Sequence, residues 1–361
     1  MQMESYWNLG NEEEEIAASF AFSLVSDFTC SEVLKVVIDL QVFEIIKEHG
    51  PGACLSAAEI AAKLPTTNIE AAQSYLSRML DILVSNSILT LSLGTVEKRY
   101  GLAPVCKFFM PNEDGVSFTP FMDTAFRNSV KDGFRTLKYA VLEGSVPFTK
   151  AFGMPYYEYL EKHPDIQIAF SKAMSDHSTL VMRGILKNYK GFEGLPSLVD
   201  VGGNTGTTLG MICSQYPQIK GINFDQPHII ADAPSYPGVE HVAGSMFVNI
   251  PKGDAMFLKW IFHAFTDDQC IKILKNCYAA LPEDHGKVIV CEYLLPGPHE
   301  PTTNVFAKSV LQLNTIMMCM QEGKERSKVE YEALAFKAGF QSFQVVCSAY
   351  NVHVMEFLKK I

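Results

Sequence analysis

Residues Leu198–Met211 read "LVDVGGNTGTTLGM". An apolar run ends in an acid, Asp200. Gly202, Gly203, Asn204 and Gly206 follow, and then chain of helical character. Strand, glycine-rich turn and helix form the repeating unit of open α/β sheets, whose ligands sit beyond the carboxyl ends of the strands. Glycine admits left-handed backbone and removes the Cβ that would hold a ligand away. The spacing is not G-x-G-x-x-G, and no Lys-Ser/Thr pair follows as in a phosphate loop. Alone, the turn suits either a nucleotide-like ligand or a plain tight bend.

The stretch after it narrows the choice. Asp225 ends a second apolar run, "GINFD", 19 residues beyond Gly206. An acid there can accept both hydroxyls of a ribose, although it can also cap the helix that "QPHII" begins. Asp200 lies close to the turn and no basic residue does, so the turn tolerates a cationic ligand better than a pyrophosphate. A helix N-terminus favours anionic parts such as a carboxylate. An adenosyl ligand with a sulfonium and an amino-acid end satisfies both conditions. Further short apolar runs at "PSLVDV", "EHVAG", "AMFLKW" and "GKVIVCEYLL", mostly separated by helical segments, indicate a parallel sheet with helices on both faces. The stretch "FQSFQVVCSAYNVHVMEFLKKI" reads as two strands joined through "AYN", an antiparallel edge hairpin.

Upstream the chain is helical to about Gly191. "SEVLKVVIDLQVFEIIKEHG" has apolar residues at helical spacing and stops at Gly50. Ser56 with Glu59 and Thr67 with Glu70 stand at capping-box spacing. "ILTLSL", a turn at Gly94 and "KRYGLAPVCKFF" complete a pattern of three short helices and a β-ribbon, which suggests a winged-helix module. That module serves packing or dimerisation, or DNA binding. The second is disfavoured, because the would-be recognition helix, Ile69 to Leu83, sets Arg78 against Glu70 and Asp81. Composition agrees: the net charge is −10 and the pI near 5.4, which excludes a polyanion as the main partner. At 48% hydrophobic and 19% charged the chain is globular, and 361 residues suffice for two domains. Nine scattered cysteines without C-x-x-C spacing fit a reduced, cytoplasmic protein. The acidic "MQMESYWNLGNEEEE" lacks a signal core, and no run is long enough to span a membrane.

Taken together, "MSDHST", "LVDVGGNTG", "GINFDQPHII", "YPGVEHVAGSMF", "FLKWIFHAFTDDQC", "GKVIVCEYLLP" and "GKERSKVEYEALAFKAGFQSF" resemble the plant caffeic acid O-methyltransferase family. The resemblance runs nearly end to end. It implies S-adenosyl-L-methionine as methyl donor, S-adenosyl-L-homocysteine as product and a homodimer. It also implies a winged-helix dimerisation domain over 1–115, a helical segment over 116–190 contributing to the acceptor pocket, and a Rossmann-like seven-stranded methyltransferase domain over 191–361. "FAFSLVSDFTCSEVLKVVIDL" supplies an apolar helical face for the dimer. On the family's pattern, Ser178 and Gly202 meet the methionine part of the donor. Asp225 takes the ribose, with Gln226 beside it in the donor site, Ser245 and Met246 meet the adenine, and Lys259 lies alongside. His263 would be the base, flanked by Glu292 and Glu325, and would deprotonate the acceptor as its oxygen takes the methyl group and the thioether leaves. By itself a lone histidine in "WIFHAF" reads more readily as structural than catalytic, and Glu325 in "GKER" could be a solvated helix start; only the joint match to the family makes them a triad. A metal is not expected, since no ligand spacing is present.

The sequence departs from the family at four places. Asn204 replaces a glycine, which is tolerable because Asn enters left-handed backbone readily. Ser245 stands in place of an aspartate facing the adenine amino group, and a hydroxyl accepts there more weakly than a carboxylate. Ala264 and Met320 stand where the family has an aspartate and an asparagine that read an oxygen beside the reacting hydroxyl. Tyr156, Leu160 and Ile166 also differ from the caffeate pocket, while Phe170, Met174, Ile316 and Met317 keep an apolar slot for a flat ring. His177 reads as pocket lining. Met122 and Asp123 in "PFMDTAF" fall in a pocket-lining stretch, where Asp123 could meet a basic nitrogen or remain a surface acid. These departures point away from a catechol and toward an isolated phenol on a flat aromatic acceptor. The alternatives are an N-methyltransferase of an aromatic amine or alkaloid, and a weakened binding or partner subunit. Intact His263, Glu292, Glu325, Asp225 and Lys259 argue against the last.

Overall fold

The computed structural model describes residues 10–93 and 97–360. The turn expected at Gly94, like the first nine residues of the acidic N-terminal stretch, lies outside the described residues. The chain divides into two compact units between Thr119 and Pro120.

The first unit opens with α1 (Asn11–Ser26), α2 (Phe28–Asp39) and α3 (Val42–Lys47). The single helix expected to run to Gly50 is broken: Gln41 takes φ 55° and ends α2 one residue before α3 begins. Leu34, Val37 and Ile38 on one side of the break and Val42, Phe43 and Ile46 on the other are all buried. Apolar periodicity therefore runs through the kink and conceals it. After β1 (Cys54–Ser56), α4 (Ala57–Ala61) starts on the expected capping box, with Glu59 N–H donating to Ser56 Oγ at 3.2 Å and Ser56 N–H to Glu59 Oε2 at 2.8 Å. The next helix, α5 (Ile69–Ser85), is capped by Asn68, whose Oδ1 accepts from Ala71 N–H at 3.0 Å, and not by Thr67. Asparagine outranks threonine as a cap, and it wins one residue later. Two further strands, β2 (Leu89–Leu93) and β3 (Lys98–Leu102), complete an antiparallel sheet in the order β1-β3-β2.

The second unit begins with α6 (Thr119–Ala125), α7 (Asn128–Arg135), α8 (Leu137–Glu143), α9 (Pro147–Phe152), α10 (Tyr156–Lys162) and the long α11 (Pro164–Asn188). The alternating part follows: β4 (Ser197–Val201), α12 (Thr207–Gln215), β5 (Lys220–Asp225), α13 (Pro227–Ile230), β6 (Val239–Ala243), β7 (Ala255–Lys259), α14 (Asp267–Ala280) and β8 (Lys287–Glu292). α15 (Val305–Met320), α16 (Lys328–Ala338), β9 (Ser342–Ala349) and β10 (Val352–Leu358) close it. The seven strands run β6-β5-β4-β7-β8-β10-β9. The first five are parallel, and β10 is antiparallel to both β8 and β9. The terminal hairpin is thus only half an edge: β9 is the edge and β10 is internal. Its turn is Tyr350–Asn351, both left-handed at φ 49° and 68°.

Successive residues of a strand face opposite sides, so a strand covered on both faces is apolar throughout. Val199, Met256 and Leu258 pack with α14 and α16 on one face, and Leu198, Ala255 and Phe257 with α11 and α12 on the other. The strand order reverses between β4 and β7, and the crevice at their carboxyl ends is where such folds hold ligands. Asn68→Ala should lower stability by about 1 kcal/mol through the lost cap, whereas exposed Thr67→Ala should stay within about 0.5 kcal/mol, both read as shifts of the urea midpoint.

Candidate active site

Beyond β4 the chain turns through Gly202 at φ 76° and Asn204 at φ 52°. A Cβ on Gly202 would be strained at this φ and would lie 2.5 Å from Ile261 Cδ1 and 3.3 Å from Met246 Cε, so both of those side chains would have to shift. Asn204 is held from both directions: its N–H donates to Asp225 Oδ2 at 2.8 Å, and its carbonyl accepts from Asn223 Nδ2 at 2.8 Å. Asp225 Oδ1 accepts from Gln226 N–H at 2.7 Å, which fixes the carboxylate at the end of β5. Asn204 Oδ1 and Asp200 Oδ2 are buried with no protein partner. Burial, with Asp225 adding to it and Lys259 opposing, pushes the Asp200 carboxyl up to about 7. Burial likewise brings Lys259 down to about 8. The local sequence offers this turn no basic group; β7 delivers Lys259 to it.

At the end of β7 the chain makes a second unusual turn. Trp260 adopts φ 56°, rare for so bulky a residue. The turn presents consecutive amides of Ile261 and Phe262 to one oxygen of Glu292, at 2.9 and 2.8 Å. His263 follows, with Nδ1 2.8 Å from Glu325 Oε1 and 3.9 Å from Glu292 Oε2. The two acids therefore differ in what they touch: Glu325 bonds to the ring, and Glu292 holds the backbone beneath it. Both are fully buried. Burial alone would lower the imidazole's pKa, but Glu292 and Glu325 together overcome it and the net shift is upward. Burial raises the Glu292 carboxyl, against the pull of His263. A donor at Nδ1 leaves the lone pair on Nε2. Ligand-type atoms of His263, Glu292 and Glu325 all fall within 4.8 Å of one another, a grouping that residue spacing did not reveal. One oxygen of Glu292 and one of Glu325 are already committed to protein N–H donors.

These features open on a cavity of about 780 Å³ in the second unit. Ser178, Gly202, Asp225, Gln226, Ser245, Met246 and Lys259 line it, as do His263, Ala264, Tyr156, Phe170, Met174, Ile316, Met317 and Met320. Asn276 Nδ2 donates to Met246 O at 2.7 Å and anchors that segment to α14. Five residues read as acceptor lining do not reach the cavity. Leu160 and Ile166 pack behind it with Phe148 and Met320. His177 stacks on Trp260 with centroids 3.8 Å apart, and burial holds it neutral, well below the usual histidine range. On α6, Phe121 and Thr124 line the cavity, while Asp123 is exposed and Met122 lies off the lining. Helical rotation makes the difference: α6 turns Phe121 and Thr124 toward the cavity and Asp123 away from it. Trp260, Ile261, Phe265, Tyr157 and Leu313 also line the cavity and were not anticipated. Trp260 and Ile261 lay inside a quoted motif; nothing in the sequence marked their side chains as exposed to a ligand.

An O-methyltransferase domain matches residues 134–341 and an O-methyltransferase dimerisation domain matches 22–112. The chain belongs to the S-adenosylmethionine-dependent O-methyltransferase family of plants, and it is a methyltransferase. It is 54% identical over 353 residues to O-methyltransferase 1 of Lophophora williamsii, and 52% identical to a caffeic acid 3-O-methyltransferase of Prunus dulcis, with 96% of each chain covered in both cases. Its fold is that of human N-acetylserotonin methyltransferase solved with S-adenosylmethionine, at a TM-score of 0.77 and 22% identity over 98% of this chain and 100% of that one.

The residues suit the donor. A buried carboxylate with a spare oxygen, a left-handed glycine and an amide-fixed Asp225 match a cationic, ribose-bearing molecule. The raised Asp200 carboxyl makes a prediction about the free protein. Unfolded, Asp200 loses its proton near 3.8; folded, it keeps it to about 7. Stability should therefore fall as pH rises from 4 to 7, by an amount on the order of 1–4 kcal/mol from this group. Asp200→Asn should flatten that slope in urea unfolding across the window; an unchanged slope would show that Asp200 titrates normally.

Proposed function

We propose that this enzyme methylates an isolated phenolic oxygen on a flat aromatic plant metabolite, with His263 as general base. The observation that carries the proposal is the pairing of His263 Nδ1 with Glu325 in a cavity whose neighbouring surface, Ala264 and Met320, is apolar. Gly202 and Ser178 would hold the amino-acid end of the donor, Asp225 the ribose and Met246 the adenine, with Lys259 alongside. Bound donor supplies an electrophilic methyl group. A phenol of pKa ~10 is mostly protonated at neutral pH and needs a base at hydrogen-bond distance. His263 Nε2 takes that proton, and the Glu325 carboxylate stabilises the imidazolium through Nδ1. Tyr156, Phe170, Met174, Ile316 and Met317 form the slot for the ring. An acceptor with a hydroxyl or methoxy group beside the reacting oxygen would desolvate it against Ala264 and Met320 without a hydrogen bond in return, a penalty of roughly 1–3 kcal/mol.

A second copy of the chain completes the assembly. The matched dimerisation domain supports this, as do Ile16, Phe20, Phe22, Leu24 and Val25 of α1, all exposed in the single chain. Nine cysteines without a disulfide suit a reducing compartment such as the cytoplasm.

His263→Gln should lower kcat by roughly 10²–10⁴-fold with donor affinity by calorimetry unchanged. The acid limb of the wild-type kcat/KM profile should lie above 6.5, because the raised imidazole must be neutral to accept a proton. Offered methyl-labelled donor with catechols, isolated phenols and aromatic amines, the enzyme should place label on the isolated phenol oxygen. Label on nitrogen would make it an N-methyltransferase on this scaffold, and efficient catechol methylation would refute the pocket argument. Ser245→Asp should bind donor more tightly than the parent in the same titration; equal affinity would remove Ser245 from the adenine site.

A further inference from the structure

The segment Gly323–Arg326 wraps the turn that carries His263, and the reading of His263 as base absorbs only Glu325 from it. Arg326 is fully buried. Its Nη1 donates to the carbonyl of Phe262 at 2.7 Å and its Nη2 to that of Phe265 at 2.8 Å, one residue before and two residues after His263. Nε and Nη2 reach Asp267 Oδ1, in the first turn of α14, at 2.9 and 2.8 Å. Its own backbone carbonyl accepts from Leu295 N–H at 2.9 Å, tying it to the chain just beyond Glu292. Gly323 lies so close that a Cβ there would stand 2.1 Å from the His263 carbonyl oxygen. Glu325 N–H donates to Asn314 Oδ1 of α15 at 2.9 Å, which sets the carboxylate that meets the imidazole.

We infer that Arg326 is a positioning residue for methyl transfer: its guanidinium fork spans the His263 turn and holds the ring in register with Glu325. The proposal rests on His263 being the base. A planar fork can satisfy two carbonyls and a carboxylate at fixed spacing, which a lysine ammonium cannot do. Carbonyl oxygens on both sides of His263 converge on one cation, so the turn cannot rotate without breaking two charge-assisted bonds. His263 is faced by Glu292 from β8, Glu325, Lys259 from β7 and His177 from α11. Loosening the turn moves the ring away from Glu325, and the support that raises its pKa falls with that contact.

The test compares Arg326→Lys, Asp267→Asn and His263→Gln as folded proteins. In Arg326→Lys, kcat should fall roughly 10- to 100-fold while donor affinity and acceptor KM change less than about threefold. The acid limb should move to lower pH, and the downfield Nδ1 proton of His263 in NMR of histidine-labelled protein should weaken or disappear. Should Arg326→Lys fail to fold, Asp267→Asn takes its place, because it removes the half-exposed carboxylate that orients the fork and leaves the arginine in position. Unchanged kcat, limb and Nδ1 signal in the folded variant overturn the clamp. Full activity in His263→Gln would instead overturn the base assignment, whatever the arginine variants do.

Discussion

Two carboxylates, an imidazole and a guanidinium are buried around one turn of backbone, residues 260–265, and the site depends on each of them finding a polar partner there. Removing an ion from water without a partner costs several kcal/mol. Here Glu292 meets two amides, Glu325 meets the imidazole, and Arg326 meets two carbonyls and Asp267. Each group is held by a different kind of partner, so none can be lost without stranding another. The left-handed Trp260 is the geometric condition for the arrangement, since it aims both amides at a single oxygen.

The glycine turn follows a gentler version of the same logic. Asn204 accepts a left-handed conformation because Asp225 and Asn223 grip its peptide from both sides. The carboxylate that would meet a ribose is thereby preorganised by the turn that would meet the rest of the ligand. Asp200 stays deep and under-bonded, the kind of destabilised group that functional sites retain and folded cores otherwise avoid.

How much of this the sequence discloses depends on whether the signal is local. Strand–turn–helix order, the acid that ends β5, and the capping box at Ser56 are written in neighbouring residues and were legible, while β4 runs one residue beyond Asp200 to Val201. The break at Gln41 was hidden because both sides of it present apolar faces to one core. The cap at Asn68 was missed because two good caps stand side by side. Five residues read as acceptor lining lie off the cavity because a motif names a stretch, while a cavity selects one stripe of a helix. Arg326 was invisible as part of the site, since its partners lie about sixty residues away and two of them are backbone carbonyls, which no residue pattern encodes. The nearness of Lys259 to Asp200 is likewise a product of the sheet's strand order.

One feature of the sheet bears on how the enzyme is made. β8 carries Glu292 and is flanked by β7 and β10, with Glu292 opposite His353 in register. Its partner β10 is synthesised some sixty residues later, after α15, α16 and β9. A nascent chain released before Val352 would leave β8 as an open edge, with its ladder of amides and carbonyls exposed to other chains. The donor turn between β4 and β5 lies on strands whose other neighbours are β6 and β7, whereas the strand that carries the acid beneath His263 gains its second neighbour only once β10 has been made. The strand bearing Glu292 is thus completed later in the chain than the strands bearing the glycine turn, and a product lacking β10 would carry an open edge directly beneath the His263 turn.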